Sequence, residues 1–111
     1  MAEITYGDFE KLDIRVGKVI KVDDFPKARK AAYKLWVDFG DFGVKKSSAQ
    51  ITKLYRKEEL VGQLVTAVTN FPPRQVADFI SEVLVLGVVL DKDEVVLVKP
   101  DRNVPLGQKI L

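Results

Sequence analysis

The sequence of 111 residues contains no cysteine and no histidine. Without cysteine there is no disulfide, no thiolate nucleophile and no cysteine-ligated metal. Without histidine, the commonest general base and the commonest metal ligand are missing as well. We therefore expect no catalytic residue, no metal site and no cofactor.

Two further absences bear on where the protein acts. The opening residues, Met-Ala-Glu-Ile-Thr, have neither the basic nor the apolar region of a secretory signal. No apolar run approaches the roughly 20 residues that a membrane-spanning helix needs. We expect a cytoplasmic protein that does not insert into membranes.

The remaining composition is typical of one globular domain. Hydrophobic residues make up 47% of the chain and charged residues 31%, which allows a core to form at this length. We expect a single domain over residues 1–111, with a core at about residues 8–98 and extensions at residues 1–7 and 99–111.

The charge is unevenly distributed, although the net charge is only +2. The segment from Lys27 to Lys57 holds nine basic and two acidic residues, a balance of +7, whereas the rest of the chain holds nine basic and 14 acidic residues. Such asymmetry favours an anionic partner for one part of the molecule. A solvated basic face without a partner is the simpler alternative.

Alternation of apolar and polar residues predicts five strands. They cover residues 13–22, 33–39, 44–52, 63–71 and 82–90. Gly17 interrupts the first strand and predicts a bulge or bend. The inward residues of that strand would be Ile14, Val16, Ile20 and Val22.

Short helices and turns connect these strands. We expect a helical turn within residues 6–12 with Asp8 as its N-cap, and a second helix over residues 55–61 that ends at Gly62. Pro72-Pro73 ends the fourth strand, and residues 74–79 form the next connection. Five strands with a helix between the third and fourth form the OB-fold. We therefore predict an all-β protein with small helices, built as an OB-fold five-stranded barrel.

The last predicted strand is apolar on both sides. Valines at positions 83, 85 and 89 alternate with the apolar residues at positions 84, 86, 88 and 90, and residues 95–98 are similar. Strands of this kind need a cover on both faces. A second subunit would supply it, which predicts a C2 homodimer. The alternative is that the chain's own terminal segments cover this face.

The stretch at residues 43–52 is unusually polar for a strand. Every side chain from Lys45 to Ser48 can contact phosphate, by charge or by hydrogen bond. In a regular strand Lys46, Ser48 and Gln50 share one side, and the intervening residues share the other. We expect the side with Lys46 to face a ligand and the other to face the barrel.

Several segments together resemble the CsaA family of the tRNA-binding OB domains, which are found at the carboxyl ends of methionyl-tRNA synthetases and as free-standing proteins. Residues 9–17 resemble the opening of these domains. The match to CsaA lies in residues 33–40 (Tyr-Lys-Leu-Trp-Val-Asp-Phe-Gly), 46–52 (Lys-Ser-Ser-Ala-Gln-Ile-Thr), 70–74 (Asn-Phe-Pro-Pro-Arg) and 81–87 (Ser-Glu-Val-Leu-Val-Leu-Gly). The resemblance covers essentially the whole chain. It implies a non-catalytic binding protein that forms a homodimer through its end segments.

The first class of ligand that the resemblance implies is tRNA or another structured RNA, bound by its shape. Asn70 matches an asparagine at the end of the relatives' fourth strand, and Ser81 matches the serine of their Ser-Glu-Gly-Met motif. Val83 and Leu84 replace the glycine and methionine of that motif here. With the basic residues added, the predicted RNA-binding residues are Lys27, Arg29, Lys30, Lys45, Lys46, Ser47, Ser48, Gln50, Asn70, Arg74 and Ser81.

The second implied class is unfolded or exported polypeptide, which CsaA-type chaperones bind without a cofactor. The predicted floor of a peptide groove in the dimer consists of Trp36, Phe42, Phe71, Pro72, Pro73 and Leu84. Simpler interpretations exist: Trp36 would pack under a loop or at a subunit contact, and Phe71 would end a strand in the core. In the RNA interpretation Phe71 would instead stack on an unpaired base. The sequence leaves both ligands open, with tRNA placed first.

Overall fold

The computed structural model describes residues 1–111 as a mostly β structure with two short α-helices. The helices are α1 (Tyr6–Glu10) and α2 (Lys57–Leu60), and the strands are β1 (Ile14–Asp24), β2 (Tyr33–Asp38), β3 (Val44–Ala49), β4 (Leu64–Val68), β5 (Arg74–Val76), β6 (Phe79–Ser81), β7 (Leu84–Val85), β8 (Gly87–Val89) and β9 (Val95–Leu97). Single 3-10 turns occupy Gly40–Phe42 and Asp91–Asp93. The longer helix has five residues, and no helix could cross a bilayer.

Five antiparallel strands form one sheet in the order β3-β2-β1-β4-β7. The sheet nearly closes on itself because the segment between β6 and β7 bonds to β3. The backbone N–H groups of Glu82 and Val83 both donate to the carbonyl of Lys46, at 2.8 and 3.2 Å. With α2 between β3 and β4, this arrangement confirms the predicted OB-fold barrel.

The core fills the inside of this barrel. Its buried members are Val19, Leu35, Val37, Phe39, Ala49, Ile51, Leu60, Val65, Ala67 and Val83. Gly17 faces the same interior, where an added Cβ would lie 2.5 Å from Val37 Cγ1 and 2.8 Å from Phe39 Cε1. A side chain at Gly17 would therefore collide with the core, since contacts under 3.0 Å force a neighbour to move.

The face predicted for Ile20 is wrong. The pairing of β1 with β2 shifts between Val19 and Lys21, which leaves Ile20 as the bulged residue. The change of face precedes this bulge, because Val16 and Gly17 are both buried and Val19 follows on the side of Gly17, which leaves Ile20 exposed. The irregularity predicted at Gly17 is therefore present, and the bulge at Ile20 is a second one, after which Val22 packs against the core again.

The predicted N-cap of the first helix is also wrong. Thr5, not Asp8, caps α1: its hydroxyl accepts a hydrogen bond from the Asp8 N–H, and the Asp8 carboxylate accepts one from the Thr5 N–H, both at 3.1 Å. The predicted end of α2 agrees with the structure, because Gly62 follows the helix with a φ of +93°.

Three predicted strands differ from the observed ones by three residues or more. β3 ends at Ala49 and β4 at Val68, each three residues before the predicted end. The predicted connection at residues 74–79 is instead part of a hairpin of β5 and β6, turned at Ala77 with a φ of +52°. The strand predicted over residues 82–90 splits into β7, which pairs with β4, and β8, which pairs with β9.

The hairpin of β8 and β9 leaves apolar side chains exposed. These are Val88, Val89, Leu90, Val96 and Val98, and Val89 alone is 78% exposed. The carboxyl-terminal tail does not cover them. It pairs instead with β1, where the Gly107 N–H donates to the carbonyl of Val16 at 2.8 Å.

Candidate functional site

Alternate residues of β3 face opposite sides of the barrel wall. Ser47 has no exposed surface, and Ala49 is buried beside the core. Lys46 and Ser48 are half-buried on the outer side, and Gln50 is exposed just after the strand. The expected division of the two sets therefore holds for burial, although it makes Ser47 an interior residue rather than a surface one.

An aromatic cluster lies on the outer side of β2. The ring of Phe79 packs edge-on against Phe25 at 5.6 Å and against Trp36 at 5.8 Å, measured between ring centroids. Phe25 comes from the loop after β1 and Phe79 from β6, so the cluster joins loop, strand and hairpin. Trp36 thus packs under a loop, as its simpler interpretation predicts.

Three lysines place their ammonium groups around this cluster. Lys21 Nζ lies 4.4 Å from the Trp36 ring centroid, Lys34 Nζ lies 5.0 Å from that of Phe25, and Lys46 Nζ lies 5.3 Å from that of Phe79. Cation–π attraction holds the charges at these positions. We call the surface formed by these three lysines and the aromatic cluster the basic face.

Lys21 and Lys34 are not among the site residues predicted from the sequence. Lys21 and Lys46 are both register partners of Trp36, one on each side of it. The alternation of β2 does place Lys34 and Trp36 on one outward side, so the signal was present. The sequence alone does not show that Phe25 and Phe79 lie at the same place.

The positive charge of the basic face is only partly neutralised. Lys21 lies 3.8 Å from Asp23, whereas Lys34 and Lys46 have no acidic group within 4.0 Å. Lys27 belongs to the adjacent loop and pairs with Asp78 at 3.3 Å. The hydrogen bond and charge of Lys27 hold the pKa of the Asp78 carboxyl below its usual range.

The other two basic residues of that loop, Arg29 and Lys30, are exposed and lie outside every ion pair of the structure. They extend the basic face beyond the strands. Lys45, by contrast, is on the inward set of β3 and is half-buried. The structure therefore brings the basic loop and Lys46 to one surface and places Lys45 on another side of the strand.

A groove of about 630 Å³ opens beside the outer edge of β3. Its lining contains predicted residues of both ligand classes: Ser48, Gln50, Phe71, Pro72, Arg74, Ser81 and Leu84. Most of its wall is apolar, and Phe71 and Leu84 are 46% and 48% exposed there. We call this cavity the groove. Trp36, Phe42 and Pro73 do not line it.

Two predicted RNA contacts are engaged within the chain. Ser81 Oγ accepts a hydrogen bond from the Ser48 N–H at 3.0 Å and lies 3.3 Å from the carbonyl of Val83. The Asn70 side chain accepts from the Asp13 N–H at 3.0 Å and donates to the carbonyl of Lys11 at 2.7 Å. These bonds close the barrel and join its strands to α1, which gives both residues a structural role.

A second polar network lies at the start of β1. The Asp13 carboxylate accepts hydrogen bonds from Arg15 Nε at 2.9 Å and from the Thr69 hydroxyl. Burial opposes ionisation of Asp13, but the bonds from Arg15 and Thr69 outweigh it and lower the pKa of this carboxyl. Arg15 also stacks on Phe42, 3.9 Å from the ring centroid, and donates to the carbonyl of Gly107.

The family model described as a putative tRNA binding domain matches residues 14–109 of this chain. The chain is 50% identical to the chaperone CsaA of Bacillus anthracis str. Ames, covering 99% of this chain and 100% of that one, with a TM-score of 0.95. It is 55% identical to the CsaA chaperone protein of Picrophilus torridus, covering 98% and 100%, with a TM-score of 0.91.

The chain also resembles part of a larger enzyme. It is 37% identical over 110 residues to the methionine–tRNA ligase of Thermococcus kodakarensis, which covers 99% of this chain but only 14% of the ligase. Matches to the ligases of Nanoarchaeum equitans and Pyrococcus abyssi cover 13% and 14% of those proteins. The chain thus spans about a seventh of the length of the curated relatives that it matches.

Proposed function

The chain belongs to the family of putative tRNA-binding domains, and from this premise we propose that it binds tRNA or a similarly folded RNA without catalysing a reaction. Support comes from the basic face. Lys34 and Lys46 lie there over aromatic rings, with no carboxylate within 4.0 Å of either ammonium group. Cations free of carboxylates are available to phosphates, which dominate the affinity of proteins for nucleic acids.

The basic face suits recognition by shape more than by sequence. Its charged ends are ammonium groups, which contact phosphate as point charges and carry no base-specific pattern. The loop residues Arg29 and Lys30 widen the surface beyond the three lysines. A folded RNA, whose backbone phosphates cover its outside, fits such a surface.

A salt titration with a paired substitution tests this proposal. Lys34→Ala with Lys46→Ala should weaken tRNA binding and should reduce the slope of log affinity against log salt by about 1.5, because each lost phosphate contact contributes about 0.7–0.9. The matched control is Lys99→Ala with Lys109→Ala, which removes the same charge from the tail.

Two results would contradict the proposal at different levels. Absence of tRNA binding by the unaltered protein at low salt would refute the function. Equal weakening by the tail substitutions would leave the function standing and refute the basic face as its site.

A chaperone that binds unfolded polypeptide is the second candidate. It is supported by the apolar lining of the groove and by the likeness to the two CsaA chaperones. An unfolded polypeptide of matched charge, titrated in parallel with tRNA, separates the candidates. Polypeptide binding that persists at high salt, together with no binding of tRNA at low salt, would favour the chaperone.

We further infer that the chain forms a homodimer. The support is the exposed apolar surface of β8 and β9, which residues 1–7 and 99–111 leave uncovered. Exposed patches of this kind mark interaction sites, and a twofold dimer buries the same patch on both subunits. No residue of the basic face lies in β8 or β9, although Gly87, Val89 and Val95 of these strands also line the groove.

A further inference from the structure

We propose that the groove receives an unpaired nucleotide of an RNA whose phosphates lie on the basic face. This inference rests on the proposed function and assigns a ligand to a second surface. It makes the protein selective for folded RNA that carries a single-stranded end or loop next to its helical part.

The size and lining of the groove fit a nucleotide. Its volume of about 630 Å³ lies within the range of roughly 300–1,000 Å³ that is typical of small-molecule sites. Phe71 offers an exposed aromatic surface, and proteins bind unpaired bases by stacking them on such side chains. Ser48 in β3 and Gln50 just after it also line the groove and supply polar groups for the edge of a base.

The groove and the basic face meet at β3. Ser48, which lines the groove, is the register partner of Lys34 and lies two residues from Lys46 on the same side of the strand. A strand of RNA can therefore pass from the lysines into the groove without a break in contact. This continuity favours one ligand for both surfaces.

The groove holds one cation that an anionic chain can reach. Arg74 and Glu82 are the only charged residues in its lining. The Glu82 carboxylate accepts a hydrogen bond from the Lys46 N–H at 3.0 Å, which directs one of its oxygens into the barrel wall. Arg74 is exposed and belongs to no ion pair, so its guanidinium is available to a phosphate.

An extended polypeptide fits the groove less well. Peptides that bind along a sheet add a strand to a free edge, through backbone hydrogen bonds. The edge of β3 that faces the groove is already occupied: the carbonyl of Lys46 accepts from Glu82 and Val83, and the N–H of Ser48 donates to Ser81. The groove thus offers stacking and charge rather than a strand edge.

The test compares a blunt RNA hairpin with the same hairpin carrying a single-stranded extension of a few nucleotides, in which one adenine is replaced by the fluorescent base 2-aminopurine. We expect the extension to increase affinity and its fluorescence to be quenched on binding. Phe71→Ala should weaken binding of the extended hairpin by about tenfold and leave the blunt hairpin unaffected. Phe71→Leu keeps an apolar side chain and should lose the quenching.

Phe42→Ala is the matched control, because Phe42 is similarly exposed but lies outside the groove. The inference is overturned if the extension adds no affinity, or if Phe71→Ala weakens both hairpins equally. It is also overturned if Phe71→Ala weakens the binding of an unfolded polypeptide and leaves the binding of both hairpins unchanged. Failure of the unaltered protein to bind either hairpin refutes the proposed function itself, whereas the first two results leave that function intact.

Discussion

The first two strands and the last two bury their apolar side chains differently. In β1 and β2 one side is apolar and buried, and the other carries lysines, so the chain covers its own core. In β8 and β9 both sides are apolar, and Val88, Val89 and Val96 stay exposed. A strand that alternates is complete within one subunit, whereas a strand that does not alternate needs a surface from outside.

The largest effect is expected from a charge placed on the exposed hairpin of β8 and β9. Val88→Lys should convert a dimer to a monomer, because a twofold interface would bury the unpaired ammonium twice. We expect the dissociation constant to rise on the order of a thousandfold, equivalent to about 4 kcal/mol. Sedimentation velocity at several concentrations measures it.

Ile20→Lys is the control, since Ile20 is an exposed apolar residue of β1. It should leave association unchanged. If the unaltered protein sediments as a monomer at micromolar concentration, the exposed hairpin does not need a second subunit, and the difference drawn between the two pairs of strands is wrong.

The next largest effect concerns the side of β1 that the chain covers itself. Gly17→Ala should destabilise the protein by about 2–3 kcal/mol, because the added methyl group meets Val37 and Phe39 at under 3.0 Å. Urea denaturation measures the change. Gly7→Ala, in α1, meets only Thr5 at 3.6 Å and should be neutral or slightly stabilising. Equal effects of the two substitutions would show that the interior at Gly17 is loosely packed.

The sequence predicted the barrel because alternation is a local property. In the second predicted strand apolar residues 35, 37 and 39 alternate with residues 34, 36 and 38, and the structure buries the first set and leaves Trp36 on the outer side. The prediction failed at Ile20, because β1 changes face at Gly17, where two consecutive residues are buried, and Val22 returns to the predicted side only after the bulge at Ile20. Nothing in the sequence distinguishes Ile20 from its neighbours as the residue that would bulge.

The candidate site was predicted less completely. The groove is lined by residues of β3, β5, β7, β8 and β9 and of the segment after β6, and β3 meets the others where Ser81–Val83 closes the barrel against Lys46. The cluster of Phe25, Trp36 and Phe79 depends on the same closure. Composition identified the basic segment, but only tertiary contacts show which of its lysines lie together.

A third prediction tests how far the barrel stabilises itself without a partner. Asp13→Asn should lower the free energy of unfolding by about 1–2 kcal/mol at pH 7, since it weakens the bonds from Arg15 and Thr69. The folded pKa of Asp13 lies below that of the unfolded chain, so its contribution is complete above about pH 4 and is lost as the pH falls through the lowered pKa.

Denaturation of both proteins between pH 2 and pH 7 measures this dependence. The difference between them should shrink towards zero at the acidic end. Asp41→Asn, at an exposed carboxyl in the turn before β3, should show no such difference. A difference for Asp13→Asn that stays constant with pH would mean that the charge of this carboxyl does not matter.

The smallest expected effect lies at the edge of the basic face. Asp78 neutralises Lys27 at 3.3 Å, so Asp78→Ala should release one cation and remove one anion next to the first three strands. We expect tRNA affinity at low salt to increase about twofold to threefold. The matched control is Asp101→Ala, which releases Arg102 from a pair of similar length in the tail. Both substitutions change the net charge equally, and therefore a rise with Asp78→Ala alone assigns the RNA to the basic face. An equal rise with Asp101→Ala would attribute the effect to net charge. The strands of the basic face would then be no better an RNA-binding surface than the rest of the chain.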